Sequence, residues 1–128
     1  MGQFLLDTHV LLWMQDDNDQ LPDHIKEALS DASNDLYISI VSIWEVVIKK
    51  SLGKLRLGYS IDELIQSCVF SNIIILPLQP AFLLTLEKLP FHHRDPFDRI
   101  IAATAIELNC QLISKDANMK KYDLDVLW

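Results

Sequence analysis

Four short apolar runs, Gln3–Leu6, Leu36–Ile40, Ile73–Leu76 and Gln111–Ile113, recur along the chain with helix-length segments between them. The runs are short and apolar throughout, the pattern of strands covered on both faces. The segments between them carry helix signals. Thr8, or Asp7 itself, caps a helical turn through Trp13, and Gln15–Gln20 is a polar loop. Pro22 opens a helix to about Ser33. Ser42 is placed as the N-cap of a helix over Ile43–Ser51, with Glu45 at the third helical position of a capping box, and Gly53 ends that helix. Ser60 caps a helix to about Ser71, Pro80 opens one to about Lys88, Asp116 starts a last short helix, and Asp125–Leu127 is a candidate fifth strand. Strands alternating with helices at these lengths predict an α/β fold with a short, mostly parallel central sheet flanked by helices.

One helix carries an acid that propensity does not explain. Asp95 is a natural N-cap, Pro96 takes the first helical position, and Asp98 lies in the first turn, where the helix dipole favours negative charge. Phe97, Ile100, Ile101, Thr104, Ala105 and Leu108 then recur at helical spacing, which makes this a core helix. Asp98 points nearly the same way as Ile101, Ala102 and Ala105. Its carboxylate is therefore aimed at or beside the interior, where it needs a cation or hydrogen-bond donors.

Parallel sheets bind ligands beyond the carboxyl ends of their strands. Asp7 follows the first strand directly, Asp116 follows the fourth after Ser114 and Lys115, and Glu45 and Asp98 are placed in the first turns of helices facing that rim. Taken singly, each acid also has a local reading as a helix cap or capping-box partner. Taken together, four carboxylates at one rim would repel one another and raise their own pKa values unless a cation held them. Oxygen-only ligands favour Mg²⁺ or Mn²⁺ over zinc.

The 128 residues suit one domain over 1–128, without repeats or linkers. The longest apolar run, Ile73–Leu78, is far short of the roughly 20 residues of a membrane span, and no signal segment opens the chain, so a cytoplasmic, non-membrane protein is expected. Cys68 and Cys110 lack zinc or disulfide spacing and read as small core residues in a reducing compartment. A formal charge of −7 argues against a protein that coats nucleic acid with a broad basic surface. It leaves open a nucleic-acid enzyme whose acids gather around cations.

The stretches Leu5-Leu6-Asp7-Thr8-His9, Ser39-Ile40-Val41-Ser42-Ile43-Trp44-Glu45, His93-Arg94-Asp95-Pro96-Phe97-Asp98-Arg99-Ile100-Ile101-Ala102-Ala103 and Leu112-Ile113-Ser114-Lys115-Asp116 resemble the successive motifs of PIN-domain ribonucleases. More narrowly, they resemble VapC-type toxins of type II toxin–antitoxin pairs, over essentially the whole chain. The resemblance implies a PIN-like three-layer sandwich. It makes Asp7, Glu45, Asp98 and Asp116 the metal-binding and catalytic acids, and places Ser114 as a hydroxyl near the metal and scissile phosphate. Many members carry a further acid where this chain has Asn118, so a fifth carboxylate is not implied. Asp95 is left out of the metal set because its capping role already explains it. The resemblance also implies an RNA substrate, a homodimer and a small cognate antitoxin covering the acidic site.

The chemistry expected of such a set is Mg²⁺- or Mn²⁺-dependent hydrolysis of RNA, with activated water attacking phosphorus in line to leave a 5′-phosphate and a 3′-hydroxyl. The chain offers no convincing Ser-His-Asp or Cys-His set. Substrate contact falls to local positive charge: Lys49, Lys50, Lys54 and Arg56; His92, His93, Arg94 and Arg99; and Lys115, Lys120 and Lys121, each group also readable as a solvated face. His9 reads as structural, and Trp13 and Trp44 as core. Competing functions are a non-catalytic PIN-fold binding module, in which one of the four acids would be expected to be lost, and a structure-specific DNA nuclease. A phosphoacceptor receiver-like domain expects an acid pair after the first strand, which Asp7-Thr8 does not supply.

Overall fold

The computed structural model describes residues 1–128. In chain order the elements are β1 (Gln3–Leu6), α1 (Thr8–Gln15), α2 (Asp23–Ser30), β2 (Asp35–Ser39), α3 (Ile40–Ser51), α4 (Ile61–Phe70), β3 (Ile73–Leu76), α5 (Pro80–Glu87), α6 (Pro96–Leu108) and β4 (Gln111–Ile113), then a short 3₁₀ helix (Ala117–Lys121) and β5 (Val126–Leu127). The strands form one all-parallel sheet in the order β3-β2-β1-β4-β5. From β1 the chain winds outward to β2 and β3, then returns across the sheet to β4. The order therefore reverses between β1 and β4, and a crevice opens at their carboxyl ends.

Strand alternation divides the core in two. Phe4 and Leu6, with Leu36, Ile38 and Ile113, face a cluster that includes Val10 and Leu11 of α1, Ile25 of α2, Ile43 and Val46 of α3, and Leu64 and Cys68 of α4. Leu5 and Leu112 face the other way, onto Ile101, Ala102 and Ala105 of α6 and onto Met119 and Tyr122. α5 packs on α6 through Phe82, Ile100 and Ala103, with Val41 of α3 alongside. Helices cover both faces of the sheet, in the expected three layers. No helix is long and apolar enough to cross a membrane. Cys68 and Cys110 are buried and unpaired, and burial pushes both thiols up.

The caps that position the site follow the local chemistry. Asp95 accepts from the backbone N–H groups of Phe97 (2.8 Å) and Asp98 (3.3 Å), and Asn109 closes α6 in the left-handed region. Ser60 and Glu63 form a reciprocal capping box on α4; such a cap contributes about 1 kcal/mol. α2 ends at Ser30, three residues before the expected end, because the Asp31 carboxylate takes the N–H and hydroxyl of Ser33 and turns the chain out of the helix.

α3 departs further from expectation. It begins directly at the end of β2, with Ser39 as its N-cap accepting from Val41 N–H at 3.1 Å. Ser42 is not the cap and Glu45 is not in the first turn. The start moves three residues earlier because Ser39 already supplies a capping hydroxyl at the strand end, so no loop is needed. Gly53, at φ +70, follows the last turn of α3.

Candidate metal-binding and active site

Asp7 is the first residue beyond β1, and its N–H continues the β1–β4 ladder to the Ile113 carbonyl at 3.0 Å. Its carboxylate is buried. One oxygen caps α1 by accepting from Thr8 N–H (2.8 Å), and the other accepts from the Ser114 hydroxyl (2.6 Å). Burial pushes the Asp7 pKa up; the bonds from Ser114 and Thr8 oppose this, and the nearby Glu45 charge adds to it. Ser114 in turn accepts from Asp116 N–H at 3.0 Å. This one hydroxyl ties the acid after β1 to the acid after β4.

Glu45 arrives from α3 and is 3% exposed, so a free carboxylate there would be costly. Both of its oxygens are satisfied: Oε1 accepts from the Thr8 hydroxyl (2.8 Å), and Oε2 accepts from Lys49 Nζ (2.6 Å) one helical turn on. Thr8 Oγ1 also lies 2.9 Å from Ser42 Oγ, which links α1 to α3. With α3 starting at Ile40, Glu45 lies in its second turn rather than its first.

Asp98 sits in the first turn of α6 with no hydrogen-bonded cation, and its pKa is pushed up to about 7. Burial is the largest cause, followed by the negative charges of Asp95 and Asp7, with Glu45 adding to them and His93 opposing. Asp116 caps the 3₁₀ helix by accepting from Asn118 N–H (2.9 Å), and its second oxygen lies 2.7 Å from His93 Nε2. Asp7, Asp98 and Asp116 line one cleft of about 490 Å³ together with His9, Val10, Trp13, Gln20 and Lys115. Glu45 joins the group from behind, through Thr8.

His93, one of the basic residues offered for substrate contact, has its side chain largely buried against Tyr122 and Asp116. Its ring stacks on Tyr122 with centroids 5.5 Å apart, and Nδ1 lies 2.8 Å from the Tyr122 hydroxyl. An ionised carboxylate can only accept, so Nε2 carries the proton toward Asp116. His93, Asp98 and Asp116 offer ligand atoms within 4.8 Å of one another. The available signal was an imidazole five residues ahead of an acid already aimed at the interior.

Two other basic residues also serve the fold. Arg99 is buried; it donates to the carbonyls of Pro90 (2.9 Å), Leu89 (3.3 Å) and Leu86 (3.4 Å), with Phe91 packed on its guanidinium. Lys49 is held by Glu45. Lys50, Lys54, Arg56, Arg94, Lys120 and Lys121 are exposed. His9 is exposed rather than packed away, and Trp44 is 57% exposed against Phe97 rather than core.

The raised Asp98 pKa has a direct consequence for stability without metal. Between about pH 4 and 7 the folded state holds a proton on Asp98 that the unfolded chain has released, so stability falls as pH rises through this window. Urea midpoints in chelator should show that decline, and Asp98→Asn should flatten it. A midpoint that rises over the same range for the parent would refute this.

The chain is 26% identical over 123 residues to Ribonuclease VapC22 of Mycobacterium tuberculosis, covering 95% of this chain and 93% of that protein. Among solved structures it is similar to VapBC2 from Rickettsia felis bound to a DNA fragment from its promoter (TM-score 0.70, 15% identity, 98% of this chain and 97% of that one). It is also similar to VapBC-5 from M. tuberculosis, a member of the VapBC family of toxin–antitoxin systems (TM-score 0.63, 16% identity, 99% and 98%). These structural likenesses are of fold. The PIN domain family model matches residues 4–124, so that the crevice between β1 and β4 and the acids around it fall wholly inside the match, and this chain belongs to the PIN domain family.

Proposed function

We propose that this chain is a divalent-metal-dependent endoribonuclease, acting as one cytoplasmic nuclease domain and as the toxin of a toxin–antitoxin pair. The observation that carries this reading is the convergence of Asp7, Asp98 and Asp116 in one cleft, with Asp98 pushed up to about 7 by burial and its acidic neighbours. Such a group is relieved by a cation and fits a hard one, since its donors are mainly carboxylate oxygens.

Asp7, Asp98 and Asp116 would hold the ion, with Glu45 adding negative charge behind them. A bound Mg²⁺ or Mn²⁺ would supply polarisation of a water and charge neutralisation at the phosphodiester. Ser114 keeps Asp7 oriented through their 2.6 Å bond, and Thr8 does the same for Glu45. His93 steadies Asp116 from the opposite side to Asn118 N–H.

The names of the relatives support an RNA substrate and an antitoxin partner. A partner's basic side chain would find the acidic cleft attractive. The resemblance implies a homodimer, and the exposed apolar side chains Trp44 and Val47 of α3 and Leu83 and Leu84 of α5 are surface that self-association would cover.

The test is cleavage of labelled single-stranded RNA and of DNA of matching sequence, in Mg²⁺, in Mn²⁺ and in chelator. RNA cleavage in either metal, lost in chelator and weaker on DNA, is expected. Undiminished cleavage in chelator would overturn the metal-dependent reading, and preference for DNA would overturn the RNA one.

A further inference from the structure

The cleft that contains the three acids also contains His9 and Trp13, which have no task in the nuclease reading, and Lys115, one of the basic residues expected to meet substrate. His9 and Trp13 are four residues apart on α1, the helix that Asp7 caps, so they lie on one helix face just beyond that acid. The His9 imidazole is exposed, and its ring centroid lies 5.7 Å from that of Trp13 at a 37° tilt. Trp13 is half-buried and backed by Trp128, at 5.9 Å, from the chain end after β5. Lys115, between Ser114 and Asp116 on the other side of the crevice, places Nζ 6.0 Å from the Trp13 ring centroid and donates to Gln20 Oε1 at 2.6 Å.

Two aromatic rings backed by a third, with an ammonium beside them, open onto the same space as the acids. A base offers a π face to such rings whatever its sequence, and its phosphate offers charge to the lysine. A base in a duplex is already stacked on its neighbours, so only an unpaired one is free to lie there.

We propose that His9 and Trp13 form a stacking ledge for one unpaired base of single-stranded RNA, next to the phosphate at the acids, with Lys115 contacting an adjoining phosphate. The ledge rests on the nuclease reading and adds to it the side chains that hold the substrate.

The test measures binding separately from cleavage. An end-labelled oligouridine and the same strand made abasic are titrated by fluorescence anisotropy, in Mg²⁺, against protein carrying Asp98→Asn. Trp13→Ala in that background should weaken binding of the intact strand about tenfold or more, as expected for one lost base–aromatic stack. Trp13→Phe should restore most of it, and the abasic strand should bind both proteins alike. Because Trp13 also packs against the core, His9→Ala at its exposed neighbour is a second arm, with a loss of about fivefold expected. Equal affinity of the Asp98→Asn protein and of the same protein with Trp13→Ala or His9→Ala for the intact strand would overturn the ledge and leave the nuclease reading standing. Absence of RNA binding by the Asp98→Asn protein, together with no RNA cleavage by the wild-type chain, would overturn both.

Discussion

Replacing Asp98 by Asn is expected to lower metal-dependent RNA cleavage roughly 10³-fold, the equivalent of about 4 kcal/mol of transition-state stabilisation, while making the metal-free protein more stable near pH 8. The two effects share one origin. The wild-type carboxylate is held against burial and against the charges of Asp95 and Asp7, a cost that the neutral amide does not bear. A merely structural acid would behave in the opposite way, its loss lowering stability and leaving cleavage little changed. Initial rates on RNA and urea midpoints in chelator, measured on the same preparations, distinguish the two. Wild-type cleavage by Asp98→Asn would remove this residue from the site.

The second large effect is thermal. Saturation with Mn²⁺ or Mg²⁺ at about a hundred times the dissociation constant should stabilise the fold by about 2.7 kcal/mol. For a chain of this size that corresponds to a rise in Tm of about 10 °C. At one fixed metal concentration the rise should be larger above pH 7, where Asp98 has lost its proton and no longer opposes the ion, and smaller below it. Differential scanning calorimetry with metal and with chelator at two pH values reads this directly. Curves that coincide with and without metal would count against any cation at these carboxylates.

Much of this was legible in residue order because its causes are local. The Asp95-Pro96 start of α6, the Ser60 cap of α4 and the apolar runs of β1, β3 and β4 depend on neighbours within a few positions. The start of α3 was not legible. Ser39 and Ser42 are equally good capping residues, and the choice between them was made by where β2 stops pairing with β3, at Ser39 opposite Leu76. That choice puts Glu45 in the second turn of α3 rather than its first. Arg99 escaped for the same kind of reason, because nothing near it in the chain tells that three carbonyls at the end of α5 and just beyond it will surround its guanidinium.

Asp7, Asp98 and Asp116 could be marked as rim acids from their positions after strands and at helix starts, since strand direction and helix polarity are properties of short segments. Their mutual distances were a different matter. Ser114 bridges Asp7 across a separation of 107 residues, and His93 reaches Asp116 across 23, through contacts that exist only once β4 has paired beside β1 and α6 has docked beneath them. Chain order specified which groups carry charge and which way each segment runs; folding brought those charges close enough to perturb one another, because electrostatic coupling depends on separation in space rather than along the chain.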